Sequence, residues 1–430
     1  MISQATVIIT FAFVTLILLV PRKYFLLPYI LAACFVPADQ RVIIADLDFT
    51  VLRILVLAGV LRLCLRGELR NMTLNRFDLL VVLWGVVGAV IYVIQWQDMR
   101  ALIFKCGTLF DIIGMYWLFR QRIRSWSDIT FAFNALAVCS LILVLFVTYE
   151  WITGNNPFLV IGRVTTVVRE GRYRCQASFR HSILLGLFWA TLFPVFVALC
   201  RGDYHKYLYL AAAGAAVFMV CATTSSTPLV TLAIVILLLA VFPYRQYGKQ
   251  AAWTLCGLTL ALHLVMKAPV WHLISRINLI GGSTGWHRYN LIDKAIKHFG
   301  EWAFMGCRST SEWGYGLSDI TNQYVLEGVR GGLLTLSIFL ALLFLAVKTA
   351  GAYSLSRIPR QQQWFVWGIC VSVLGHCVSF FGVSYFGQII MLLFLSFAIV
   401  SFLYESLHRP SSIVSWPKRR SNTSPIENSA

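Results

Sequence analysis

The chain has 430 residues, 59% hydrophobic and only 13% charged, with a formal net charge of +18 and a mean hydropathy of +0.75. Soluble domains carry roughly 25% charged residues, and a chain of this length folded in water could not hide so much apolar surface. The composition excludes a soluble protein and leaves a membrane one.

In chain order, apolar runs cover about residues 5–20, 24–37, 49–65, 77–95, 101–119, 129–149, 181–200, 206–222, 227–242, 250–267, 330–349, 363–380 and 386–404. Each approaches the ~20 residues needed to cross ~30 Å of hydrocarbon. The first two are short enough to form one broken hairpin, so the expected fold is an all-α polytopic membrane protein with twelve or thirteen transmembrane helices. The runs are continuous and lack period-two alternation, which excludes a β-barrel.

The basic residues fall in alternate connections: Arg22 and Lys23, then Arg66, Arg70 and Arg76, then "RQRIR" at 120–124, and so on to "KRR" at 418–420. This is the positive-inside pattern, and it places the C-terminus in the cytoplasm and, with thirteen spans, the N-terminus outside. Most of the +18 therefore reports topology, and no nucleic-acid motif accompanies it. The 408–430 tail, rich in Ser, Pro and Asn, reads as disordered.

Two outside loops are long, about 150–180 and 268–328. The second carries "HRYNLIDKAIKHF" (287–299), with Leu291, Ile292, Ala295, Ile296 and Phe299 at helical spacing and Lys294, Lys297 and His298 opposite them. That spacing predicts an amphipathic helix on the membrane surface or over a cavity. Cys175 and Cys307 fall in the two loops and leave a disulfide open.

The first loop holds Arg163, Arg169, Arg172, Arg174 and Arg180, against the positive-inside bias, with only Glu150 and Glu170 to balance them. They either solvate the loop and meet lipid headgroups or bind an anionic ligand, for which guanidinium forks suit phosphate oxygens. At a membrane the natural ligand is a lipid phosphate or diphosphate. Arg288 opens the amphipathic helix and can join them. The "DLD" at 46–48, followed by Arg53, is a weak metal–diphosphate signal. Lys105 can snorkel outward, which leaves Asp111 as the only carboxylate expected near the middle of a span; such a group usually has a partner or a role.

There is no CxxC, no HExxH, no Walker loop and no GxGxxG. The reading is of a chain that needs no metal or cofactor and whose substrate arrives already activated.

"RCQASFRHSILLGLFWATLFP" (174–194), "TTSSTPLVTLAIV" (223–235), "STGWHRYNLIDKAI" (283–296) and "GCRSTSEWGYGLSDITNQYVLEGVRGGLLTLSIFL" (306–340) resemble, in order and placement, motifs of the O-antigen polymerase and ligase superfamily. The resemblance spans about residues 40 to 404. It implies a GT-C-type glycosyltransferase at the outer face of the bacterial plasma membrane. Such an enzyme transfers a glycan from undecaprenyl diphosphate to an acceptor sugar hydroxyl, with inversion. Ligases of this superfamily carry a His before the Asn of the last motif. Here that residue is Thr321, a poor general base, so a repeat-unit polymerase fits better than a ligase acting on lipid A core or protein. A transporter or a non-catalytic assembly subunit is the rival from another class.

On this reading Arg172, Arg174, Arg180 and Arg288 bind diphosphate, and Arg163 and Arg169 help capture the donor. Asp319, His181 and His287 are the candidate catalytic residues. Asn322 and Tyr324 lie near the acceptor. The expected partners are the undecaprenyl-diphosphate-linked oligosaccharide, membrane lipids and a chain-length regulator of the same pathway.

Overall fold

The computed structural model describes residues 3–44, 47–162, 166–202, 205–276 and 285–408. Each of the thirteen apolar runs contains a helix, and two short antiparallel hairpins are the only strands among the described residues. Six helices are long and apolar enough to cross a membrane: Arg76–Trp96, Met99–Arg122, Trp126–Thr153, Ser182–Cys200, Gln323–Ser354 and Ile389–His408. A seventh span arises if Ser226–Ala240 and Phe242–Val265, bent by 85°, are taken together. This is a multi-pass membrane protein.

The count from the sequence is larger, because several apolar runs form helices shorter than a full crossing. Leu27–Phe35 has 9 residues, Val51–Leu65 has 15 and Lys206–Ala222 has 17. Arg360–Ser379 is long enough at 20 residues, but it is polar at its start and fails on hydropathy.

Burial ranks the helices. Ile389–His408 and Ser182–Cys200 are 83% and 78% buried over their apolar windows, which puts them at the centre of the bundle. Gly248–Val265 has no buried residue and presents every face outward, as a helix facing lipid does. Close packing at the centre depends on Gly186, where an added Cβ would stand 2.6 Å from Pro228 of the neighbouring helix.

Several charged side chains inside the bundle are paired. Arg120 bonds Asp78 at 3.3 Å and Glu405 at 2.7 Å, Arg70 bonds Glu405 at 2.9 Å, and Glu68 takes Arg62 and Arg122. Basic residues that read as topology signals are here also ion-pair partners. Asp111 pairs with Arg53 through two bonds of 2.6 and 2.7 Å, at a π-helical turn, Phe110–Gly114, that interrupts its span. Such turns insert one residue and re-aim side chains.

Two expectations need correction here. Asp111 is not alone among intrahelical carboxylates, because Asn322 caps a helix that starts at Gln323 and carries Glu327 into the span. Lys105 does not reach outward freely. It is 9% exposed, with Nζ 4.4 Å from the centre of the Tyr92 ring.

The amphipathic helix forms over Gly285–Lys297. Leu291 and Ala295 are buried in a small separate core with Trp302, Trp313, Leu317 and Val329. Ile296 and Phe299, on the same apolar face, are each 47% exposed.

Candidate functional site

The first long loop is a built structure. Val167–Arg169 pairs with Arg172–Arg174, Arg169 opposite Arg172 and Val167 opposite Arg174. The connecting Glu170 and Gly171 both take positive φ, +50° and +73°, the conformation a two-residue hairpin turn demands. Side chains opposite one another share a face of a hairpin, so Arg169, Arg172 and Arg174 lie on one side. Tyr173 is on the other, against the Gly154 cap, where an added Cβ would meet its ring at 2.6 Å.

Beyond the hairpin the chain is tied down by its backbone. Glu150, fully buried at the end of Trp126–Thr153, accepts from Gln176 N at 3.2 Å, Ala177 N at 2.8 Å and Thr166 Oγ1 at 2.8 Å. Asn156 Nδ2 donates to Ala177 O at 3.0 Å, and Ser178 Oγ donates to Cys34 O at 2.5 Å. Gln388, on the last connection, donates to Ser178 O at 2.7 Å and Val36 O at 3.3 Å. These bonds fix the segment between Arg174 and His181.

The two ends of that segment, Arg174 and His181, line a cavity of about 440 Å³. Arg169, Arg174 and His181 face it from the first loop, His287 and Arg288 from the amphipathic helix, and Asp319 from the end of the second loop. Six residues singled out from the sequence, separated by up to 150 positions, thus line one space. Thr321 lines it too, with its buried Oγ1 lacking a hydrogen-bond partner.

Arg174 and Arg288 are 8% exposed each. Arg174 Nη2 donates to Ser225 Oγ at 2.7 Å, and its buried Nε has no partner. Arg288 Nε donates to Gly382 O at 3.2 Å, and an added Cβ at position 382 would stand 3.4 Å from that Nε and clash with Thr227 at 2.7 Å. Burial, and secondarily the charge of Arg169, lowers both guanidinium pKa values, that of Arg288 to about 10. Both stay cationic at neutral pH. Of the carboxylates among the described residues, only Asp319 lines the cavity, and it is exposed. The space is therefore strongly positive.

His181 caps the Ser182–Cys200 helix, and its Nδ1 accepts from Ile183 N at 3.1 Å. In the neutral ring the proton then sits on Nε2. His287 Nε2 lies 3.4 Å from the Asp319 carbonyl, which ties the amphipathic helix to the Asp319 turn.

The remaining candidates lie elsewhere. Arg172 is exposed near the hairpin turn. Arg180 pairs with Asp39 at 3.1 Å and stacks 5.5 Å from the ring of Phe386, a cavity-wall residue. Asn322 caps its helix, accepting from Val325 N at 3.1 Å and donating to Phe381 O at 3.1 Å. Tyr324 donates its hydroxyl to Cys377 O at 2.8 Å and packs among Phe339, Phe380 and Phe381. Arg163 and Asp46 lie outside the described residues, as does the tail after His408. Asp48 pairs with Arg41 at 2.9 Å. Cys175 and Cys307 are free thiols.

Sequence reasoning missed the Gly382–Phe386 stretch, which supplies the opposite wall. It also missed an apolar recess of about 320 Å³ that shares Ser226, Arg288 and Gly382 with the cavity. The 382–386 stretch carries no charge or spacing that marks it in the sequence, and the recess adds only apolar and hydroxyl side chains to the residues it shares with the cavity.

No family model, curated protein or solved structure matches the chain.

Proposed function

We propose that the protein is a glycosyltransferase of the GT-C type that polymerises lipid-linked polysaccharide repeat units. It transfers glycan from undecaprenyl diphosphate to an acceptor sugar hydroxyl, with inversion, at the outer face of a bacterial plasma membrane. The observation that carries the reading is the convergence of Arg169, Arg174 and Arg288 on a cavity that also holds His181, His287 and Asp319.

Arg174 and Arg288 supply fixed, permanently charged donors where a departing diphosphate develops charge, and such preorganised donors stabilise a leaving group with little reorganisation. Asp319 and the two histidines are the groups able to take the acceptor proton. The apolar recess beside Arg288 accommodates the polyprenyl chain attached to the diphosphate. In this reading the short helices, together with the apolar residues that flank them, make up twelve or thirteen crossings, the two long loops are extracytoplasmic and the C-terminus is cytoplasmic. Thr321, on the cavity wall where a ligase would present His, favours polymerase over ligase.

The test is purified protein in nanodiscs given undecaprenyl-diphosphate oligosaccharide repeat units alone. A ladder of longer lipid-linked glycans is expected. Product only after a lipid A core or protein acceptor is added makes the protein a ligase. No covalent product under either condition removes the enzyme reading and leaves a transporter or assembly subunit.

A further inference from the structure

A smaller cavity of about 150 Å³ lies beside the arginine cavity. The two share a wall. Phe386 lines the first and Gly387 the second, and the Arg180 guanidinium, which faces the second, lies 5.5 Å from the Phe386 ring. Three sequence signals that the arginine cavity leaves out meet here: Asp48 of the "DLD", Asp111 and Arg180.

The charges on this wall cancel. Asp39 pairs with Arg180 at 3.1 Å, Asp48 with Arg41 at 2.9 Å and Asp111 with Arg53 at 2.6 Å. An anion would face three carboxylates and a cation three guanidinium groups, so the wall attracts neither sign. Two acceptors are left open. Among the described residues, Asp48 Oδ1 and Gln388 Oε1 are buried without a hydrogen-bond partner. Gln388 is 1% exposed, and its amide cannot be turned round, because Nε2 donates to the carbonyls of Val36 and Ser178.

Buried acceptors without partners are costly, and in a charge-matched wall the group that satisfies them is an uncharged donor. A hydroxyl is such a donor. Val36, Leu52, Met115 and Ile390 give the same space an aliphatic side. A cavity of roughly this volume holds one six-membered ring. A pyranose matches these walls, with hydroxyl groups at its rim and C–H bonds on its faces.

We propose that this cavity is a sugar subsite, taking one uncharged pyranose ring whose hydroxyl groups donate to Asp48 and Gln388. The inference rests on the glycosyltransferase reading for the source of the sugar, a residue of the glycan whose diphosphate the arginine cavity holds. It adds a substrate class to that reading. The repeat unit presents a neutral sugar here, and a uronic acid or a sugar with a free amine is discriminated against.

The experiment measures binding by saturation-transfer NMR to the full-length protein in nanodiscs. The probes are the methyl glycosides of glucose, galactose, mannose and N-acetylglucosamine, with methyl glucuronide and methyl glucosaminide as charged counterparts. At least one neutral glycoside is expected to bind, and both charged ones to bind more weakly than it. Asp48→Ala removes one acceptor, and Ala38→Phe fills the space without touching either. Each is expected to weaken the neutral glycoside roughly ten- to hundredfold, with a melting temperature close to that of wild type. The inference is overturned if wild type binds no neutral glycoside, if a charged one binds best, or if a folded Ala38→Phe variant binds like wild type. A protein that binds the neutral glycoside but makes no glycan ladder keeps the subsite and loses the polymerase reading. A ladder without glycoside binding does the reverse.

Discussion

Arg174 and Ser225 meet across the cavity wall, Nη2 to Oγ at 2.7 Å, and the bond leaves the buried Nε of the same guanidinium without a partner. An unsatisfied buried donor is expensive, so its presence here is consistent with a ligand that completes it. Ser225 holds the fork in place.

Replacing Arg174 or Arg288 by Lys keeps the charge and removes the planar fork. Loss of a charge-assisted bond of about 1.5–3 kcal/mol lowers turnover roughly ten- to hundredfold, read as the rate of ladder formation, with expression unchanged. Wild-type rates in both variants would remove the diphosphate role. Ser225→Ala leaves the fork in place but loosens it, and a smaller loss than Arg174→Lys is expected.

Asp319→Asn tests the proton acceptor. If the carboxylate takes the acceptor proton, kcat falls by about 10²–10⁴-fold while donor KM is little changed. A purely local role in holding the 316–319 turn predicts instead a lower melting temperature with kcat per folded molecule retained. His181→Ala and His287→Ala, assayed alongside, identify the base if Asp319→Asn is active.

Glu150→Gln addresses the foundation of the loop. A fully buried carboxylate that accepts from two backbone N–H groups and a hydroxyl is replaced by an amide whose NH₂ opposes those donors. The expected cost is about 2–3 kcal/mol, seen as a lower melting temperature and faster proteolysis between residues 160 and 178. Thr166→Val, which removes one of the bonds, costs about 0.5–1.5 kcal/mol.

Gly186→Ala forces a methyl group to within 2.6 Å of Pro228 and 3.0 Å of Thr223 Oγ1, and overpacking of this kind costs about 1–3 kcal/mol. Gly257→Ala, with no atom within 4 Å of the added Cβ, is neutral or stabilising by up to about 1 kcal/mol. Thermal unfolding of the two proteins in the same detergent separates packing from helix propensity, and equal shifts would contradict the packing account.

How much of this was legible in the sequence depends on what kind of signal each residue carries. Helices announce themselves as apolar runs, and all thirteen runs contain one. Arg174, Arg288 and Asp319 stand out because charge in the long loops of a hydrophobic chain is conspicuous. Glu327 was missed because the apolar run begins near residue 330, whereas the Asn322 cap starts the helix at Gln323 and draws seven further residues into it. Arg120 and Arg122 read as a topology signal because nothing local indicates that Asp78, Glu405 and Glu68 approach from distant segments. Gly382 and its neighbours carry no charge at all, and their place on the cavity wall is a property of the fold alone.

Gln388 reaches back 352 positions to the carbonyl of Val36 and 210 to that of Ser178, and Arg288 rests on the carbonyl of Gly382. The cavity therefore has an order of assembly written into it. A chain that has emerged from synthesis only as far as residue 350 has its arginines in place but lacks the strut that seats them. Since long-range contacts form late, the site closes only when Arg360–Ser379 and Ile389–His408 dock, so the stretch between them works as the keystone of a wall begun at Val36.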